Sequence, residues 1–166
     1  MFMEKKELYE KFKQYIVPCV ANYYEEPLIL DRGKGKYLYD IDGKEYLDFF
    51  GGIVTVSVGH CDEEITSKTI DQMRKLQHTS TLYQNVQTIC LAEKLAKITP
   101  GKLQKSFFTS SGTEAIETAI LLAQLYTNSH EIIALRHGYS GASLLAMNIT
   151  AHGNYRLVET LVPGIK

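Results

Sequence analysis

The sequence predicts an α/β fold in which a helical arm and a small antiparallel meander precede the start of a mainly parallel sheet covered by helices. Three observations carry that prediction. Residues 105–124, KSFFTSSGTEAIETAILLAQ, pass from a short apolar run through a small-residue turn into helical periodicity at Ala115, Ile116, Ala119, Ile120 and Ala123. A second apolar run, residues 131–135, is followed by the Gly-flanked loop 136–141. Further upstream, Tyr37-Leu38-Tyr39 and Tyr46-Leu47 flank Asp42-Gly43, a pair suited to the positive φ of a tight hairpin. Strand, helix and strand in this order imply parallel strands with crossover helices, and ligands in such sheets bind at the carboxyl ends of the strands. The loops 110–113 and 138–141 both fall there.

Taken from the amino terminus, residues 4–21 carry a helical stripe at Leu8, Phe12, Tyr15, Ile16 and Cys19, which Pro18 ends or kinks. The arm can pack on its own domain, on a partner subunit, or carry a substrate-facing loop. Runs 28–30, 37–39 and 45–49 read as the meander, separated by 31–35 and 40–43. In residues 49–54, FFGGIV, the paired glycines read either as a bend or as backbone kept bare for a ligand. Asp62 caps the next helix, with Glu63 and Glu64 in its first turn and Ile65, Thr69, Ile70, Met73 and Leu76 on its expected buried face. His60 and His78 flank that helix; with no paired carboxylate or thiol in sight they read as boundary histidines. A polar loop at 80–85 leads to a helix at 86–98, stopped by Pro100-Gly101. A short helix is expected at 141–147 and a last extended run at 157–162. Residues 1–60 then form an arm and meander belonging to a small domain, and residues 61–166 the first part of a larger α/β domain.

Ser111 stands three residues before Glu114, the spacing of a capping box. A helix opening on Ser111-Gly112-Thr113 after a strand is also a prospective anion site, with free first-turn amides, the positive end of the dipole and two hydroxyl donors. A cap alone accounts for an isolated S-x-x-E, so both readings stand at this point.

Composition excludes several classes. With 45% hydrophobic and 22% charged residues, and 18 Lys plus Arg against 19 Asp plus Glu, the chain is that of an ordinary globular protein at net charge -1. No electrostatic case exists for nucleic acid or an anionic membrane. The mixed-charge start MFMEKKELYEKFKQ is neither a signal peptide nor a membrane span, so a cytoplasmic protein is expected. Cys19, Cys61 and Cys90 lack any C-x-x-C spacing and read as reduced, mostly buried thiols rather than metal ligands or disulfides.

Three blocks in order, GKGKYLYDIDGKEYLDFFGGIVTVSVGH at 33–60, FFTSSGTEAIETA at 107–119 and HGYSGAS at 137–143, make the chain resemble the amino-terminal part of the class III, pyridoxal-phosphate-dependent aminotransferases of fold type I. The wording of the first block is nearest to the alanine:glyoxylate and 4-aminobutyrate type members. The resemblance implies pyridoxal 5'-phosphate as cofactor, with Ser111, Gly112 and Thr113 in its phosphate loop and Tyr139 stacked on its ring. It places Gly51, Gly52 and Ile53 near the substrate, often facing the site of the partner subunit in a homodimer. It implies an amino acid or amine donor and a 2-oxo acid acceptor. Ser140 departs from a frequent His, Ile116 from a frequent Asn, and Leu122 with Gln124 from a common Lys and Arg pair. The family's Schiff-base lysine and the Asp that pairs with the pyridine nitrogen match nothing among these residues, so the resemblance assigns no catalytic residue to the chain itself. Two alternatives remain: a catalytically inactive truncated or split product acting only as a binding or assembly piece, and a related pyridoxal-phosphate-dependent aminomutase or decarboxylase.

Overall fold

The computed structural model describes residues 4–19 and 23–157, and the chain divides into two compact units, Met1–Tyr83 and Gln84–Lys166. In the first unit, helix α1 spans Lys5–Tyr15, shorter than the expected 4–21. Ile16 already has an extended backbone at φ -100 and ψ 133. The reason is Pro18: its ring would clash with the carbonyl four residues back, and it disfavours helical geometry at Val17. Ala21 lies outside the described residues.

The meander is present as one antiparallel sheet in the order β1 (Leu30–Lys34), β2 (Tyr37–Asp40) and β3 (Glu45–Leu47). Its first turn is displaced from expectation. Residues 31–34, expected as a separator, belong to the strand, and Lys34 pairs with Tyr37 across the two-residue turn Gly35-Lys36. Gly33 has a place in β1 because the His60 side chain lies over it, as shown below. The second turn falls at Asp42-Gly43, as the sequence predicts. There the nearly buried Asp40 accepts from the Asp42 and Lys44 amides at 3.0 and 2.9 Å and from the Tyr46 hydroxyl at 2.8 Å. A carboxylate that closes the loop and also meets the next strand sets the hairpin register.

A single turn, α2 (Gly51–Val54), and helix α3 (Glu63–Lys75) complete the unit. Asp62 caps α3 as expected, accepting from the Ile65 amide at 3.0 Å. The expected buried face is corrected: Ile65, Ile70, Met73 and Leu76 are all exposed. The stripe is amphipathic, but no described residue buries it.

The second unit holds α4 (Val86–Ile98), α5 (Gly112–Thr127), α6 (Leu144–Ile149) and a 3-10 turn at Gly153–Tyr155. Helix α4 has the bounds the sequence predicts, and Asn85 caps it through the Gln87 and Thr88 amides at 2.9 and 3.4 Å. Helix α6 starts later than expected. Gly141, at φ +130, cannot be helical, so the helix waits for Ser143, whose Oγ accepts from the Ala146 amide at 3.1 Å. The buried apolar side chains among the described residues are Ile120, Ala146 and Ile149, all where α5 and α6 meet.

The runs 106–109 and 131–135 do not form strands, and of these residues only Ile132 makes a bridge. A parallel strand exists by virtue of the neighbours it bonds, and no ladder partner lies among the described residues. The faces such a sheet would cover stay open: Phe107, Ile133 and Leu135 are 75%, 91% and 82% exposed. The three cysteines are likewise exposed rather than mostly buried. Apart from Leu157, the expected run 157–162 lies outside the described residues. No helix among those described is long and apolar enough to cross a membrane, and no cluster of His, Cys, Asp and Glu among them could hold a metal ion.

Candidate functional site

In the second unit, the loop 110–113 folds as its residues dictate. Ser111 is extended, at φ -149, and its Oγ accepts from the Glu114 amide at 3.2 Å. The Glu114 carboxylate reaches back to the Ser110 amide at 2.7 Å, one residue earlier than the usual box. The cap therefore satisfies Ser110 and Glu114. The Gly112 and Thr113 amides make no hydrogen bond to any described residue, and both point from the positive end of α5. A Cβ added at Gly112 would meet nothing within 4 Å, so the space over this end of the helix is open. The hydroxyl protons of Ser111 and Thr113 remain to donate, because both oxygens act as acceptors in the bonds they make here. Two free amides, two hydroxyls and open space make a donor set that fits a phosphate.

The second expected loop is tied to the first. The Ala142 amide donates to Thr113 Oγ1 at 3.3 Å, linking residues 29 apart. Gly141 sits so close that a Cβ there would lie 2.3 Å from Thr113 Oγ1 and 2.9 Å from Thr113 Cβ. The loop is anchored on its other side by α6: the Ser140 amide donates to Thr150 Oγ1 at 3.0 Å, and the Ala151 amide to the Gly138 carbonyl at 3.0 Å. Thr150 is fully buried, and its own hydroxyl donates to the Ala146 carbonyl at 2.9 Å. The backbone on both sides of Tyr139 is thus held while its ring remains 61% exposed. That ring meets Tyr155 edge to face at 5.6 Å, and Tyr155 meets His152 at 5.0 Å. Thr150, His152 and Tyr155 are the members that sequence reasoning missed. Their positions depend on where the chain goes after α6, for which no local pattern exists.

In the first unit, the expected substrate-facing residues Gly52 and Ile53 lie in α2, a turn of unusual hand. Gly51, Gly52, Ile53 and Val54 have φ of +55, +59, +59 and +64, four consecutive residues in the left-handed region. Such geometry suits the two glycines, while for Ile53 and Val54 it costs about 1–2 kcal/mol each. The Thr55 and Val56 amides both donate to the Gly51 carbonyl at 2.9 Å, and Thr55 Oγ1 donates to the Gly52 carbonyl at 2.6 Å. Ile53 and Val54 stand outward, 73% and 83% exposed.

Asp48 supports this turn. Its Oδ1 accepts from the Phe50 and Gly51 amides at 2.8 and 2.9 Å, and its Oδ2 lies 2.7 Å from His60 Nε2. These bonds, the Gly51 amide first, then His60 and the Phe50 amide, hold the Asp48 carboxyl below its ordinary range. His60 is therefore not a boundary histidine lacking a carboxylate: its partner stands twelve residues upstream. A sequence signal existed in Asp48 itself, since an Asp two and three residues before an irregular backbone commonly accepts from those amides.

The class III aminotransferase family model matches residues 19–166. The chain is 40% identical over 146 residues to the mitochondrial alanine-glyoxylate aminotransferase 2 homolog 2 of Arabidopsis thaliana, covering 88% of this chain and 31% of that protein. It is also 40% identical over 151 residues to the acetylornithine aminotransferase of Aquifex aeolicus, covering 86% and 39%. Among solved structures, an (S)-enantioselective omega-transaminase from Thermomicrobium roseum superposes with a TM-score of 0.88 at 31% identity, over 100% of this chain and 40% of that one. The chain thus spans about three to four tenths of the length of the relatives it matches.

Proposed function

The chain belongs to the class III aminotransferases, and from that premise we propose that it carries the phosphate-holding and ring-facing part of a pyridoxal-phosphate site serving amino-group transfer between an amino acid or amine and a 2-oxo acid. The observation that carries this reading is the tie between the two loops through Thr113 and Ala142. One small junction thereby brings together free anion donors and a held, exposed aromatic ring. When bound, the cofactor would supply an electron sink for carbanion chemistry at the amino-bearing carbon. The Gly112 and Thr113 amides and the Ser111 and Thr113 hydroxyls would donate to its phosphate, and Tyr139 would cover one ring face. Gly52 and Ile53 would border the substrate. Residues 1–60 are read as part of the small domain and 61–166 as the first part of the large one. A homodimer in the cytoplasm is the expected setting.

The lysine that this chemistry needs as covalent partner and base is expected outside residues 1–166. Borohydride reduction of the chain mixed with pyridoxal phosphate, followed by a digest, should show no single lysine specifically modified. Stoichiometric labelling of Lys102 or Lys105 would sink this assignment. The double substitution Ser111→Ala with Thr113→Ala removes two donors and should weaken pyridoxal-phosphate binding by roughly tenfold to a hundredfold. An unchanged affinity would leave the loop as a helix cap only.

The reading as an assembly piece has its own support in the open apolar surface of the second unit, where Leu121, Leu122 and Leu125 on α5 are exposed together with Ile133 and Leu135. On this second reading the chain is catalytically inactive and acts only through that surface, so it would bind a partner polypeptide without supporting amino transfer.

A further inference from the structure

Beyond a place near the substrate, α2 poses a physical question: what keeps two β-branched residues in a left-handed turn on an exposed surface? The glycines explain only half of it. The answer lies in Asp48, whose side chain is only 7% exposed. One carboxylate oxygen accepts from the two amides that lead into the turn, Phe50 and Gly51, and so sets the direction in which the chain enters it. The other oxygen is held by His60 at 2.7 Å.

His60 is itself fixed to β1. Its amide donates to the Gly35 carbonyl at 2.7 Å, and its carbonyl accepts from the Gly35 amide at 2.8 Å. Its side chain lies against Gly33, where an added Cβ would come within 2.8 Å of His60 Cβ and Cγ. The Asp48 amide donates to the Lys36 carbonyl at 2.9 Å. The pair is thus anchored on the Gly35-Lys36 hairpin at both ends, and its free valences go to the turn.

We propose that Asp48 and His60 are a positioning pair that locks α2 in its left-handed form and thereby fixes the direction in which Ile53 and Val54 are presented. The consequence for substrate choice rests on the reading of Gly52 and Ile53 as substrate-facing; the lock itself does not. Both are positioning residues. Their effect passes through the backbone of residues 50–54.

The lock is tested without substrate, by amide hydrogen exchange at Thr55 and Val56, whose bonds to Gly51 span the turn. Asp48→Ala and, separately, His60→Ala should each speed that exchange, the former by about tenfold or more, because charged hydrogen bonds are lost from a locally opening segment. Asp48→Asn, which keeps the oxygen facing Phe50 and Gly51, should show a smaller effect. The decisive variant adds Ile53→Gly and Val54→Gly to each alanine variant. Glycine takes positive φ without the side-chain penalty, so protection at Thr55 and Val56 should return to within about threefold of the parent. A general loosening of the sheet would not be rescued at these positions. Failure of the glycine pair to restore protection overturns the proposal, as does unchanged exchange in both alanine variants. The substrate-facing reading fails separately, if Ile53→Ala and Val54→Ala leave the donor range of the assembled enzyme unchanged while the exchange results hold.

Discussion

Gly141→Ala is expected to lower the stability of the second unit by about 2–5 kcal/mol, more than the same change at any other described glycine. Two costs coincide. At φ +130 the backbone is one that L side chains rarely adopt, and the new Cβ would lie 2.3 Å from Thr113 Oγ1, 2.9 Å from Thr113 Cβ and 3.1 Å from Ala146 Cβ. Neither neighbour can yield easily. Thr113 is the second residue of α5, and Ala146 is a fully buried member of the small core shared by α5 and α6. The strain must go into the junction that holds the two loops together, breaking the Ala142 to Thr113 bond. Urea unfolding followed by far-ultraviolet circular dichroism measures the loss, and Gly141→Ala with Thr113→Ala should recover part of it, because the closest clash is with the hydroxyl that the second change removes. A fall in the unfolding free energy below about 0.5 kcal/mol would show that the loop relaxes freely and that the two loops are not rigidly joined.

Gly33→Ala carries the second large effect, in the first unit. Here the backbone needs no positive φ, and the obstacle is the His60 side chain at 2.8 Å. The alanine methyl must push the imidazole away, and the imidazole can move only by leaving Asp48, since its own backbone is pinned to Gly35. Overpacking of this kind costs about 1–3 kcal/mol, with the loss of a hydrogen-bond partner for a nearly buried carboxylate in addition. Asp48 should then titrate closer to an ordinary carboxylate. Below that value protonation would weaken the bonds it accepts from the Phe50 and Gly51 amides by removing the charge, so the variant should loosen α2 at a higher pH than the parent does. Carbon-13 titration of the Asp48 carboxyl in the two proteins reads the change directly. Coincident titration curves would mean that His60 keeps its bond and that the contact over Gly33 is soft.

These two glycines also show where local reasoning stops. From the residues alone, Gly141 reads as a loop flank and Gly33 as part of a separator between strands. Each is required instead by a side chain brought from elsewhere, Thr113 in one case and His60 in the other. No spacing rule encodes that approach, since it depends on two segments meeting in space.

Much of the rest is set by the chain's own pattern. Asn85 and Pro100-Gly101 bound α4, Asp62 starts α3, Ser111 with Glu114 starts α5, and Asp42-Gly43 turns the second hairpin. All of these rest on interactions within about four residues, so composition and spacing are enough to specify them. The cap at Ser111 and the first-turn donors on which the proposed anion site rests are legible for the same reason. They are properties of one helix end. What only the tertiary structure decided is long-range: the pairing of Asp48 with His60, the left-handed turn it supports, the bond from Ala142 to Thr113, and the anchoring of the Tyr139 loop on buried Thr150. The strands expected at 106–109 and 131–135 belong with these. A helix carries its hydrogen bonds within itself, whereas a parallel strand exists only beside a neighbour, and no stretch of sequence read alone contains that neighbour.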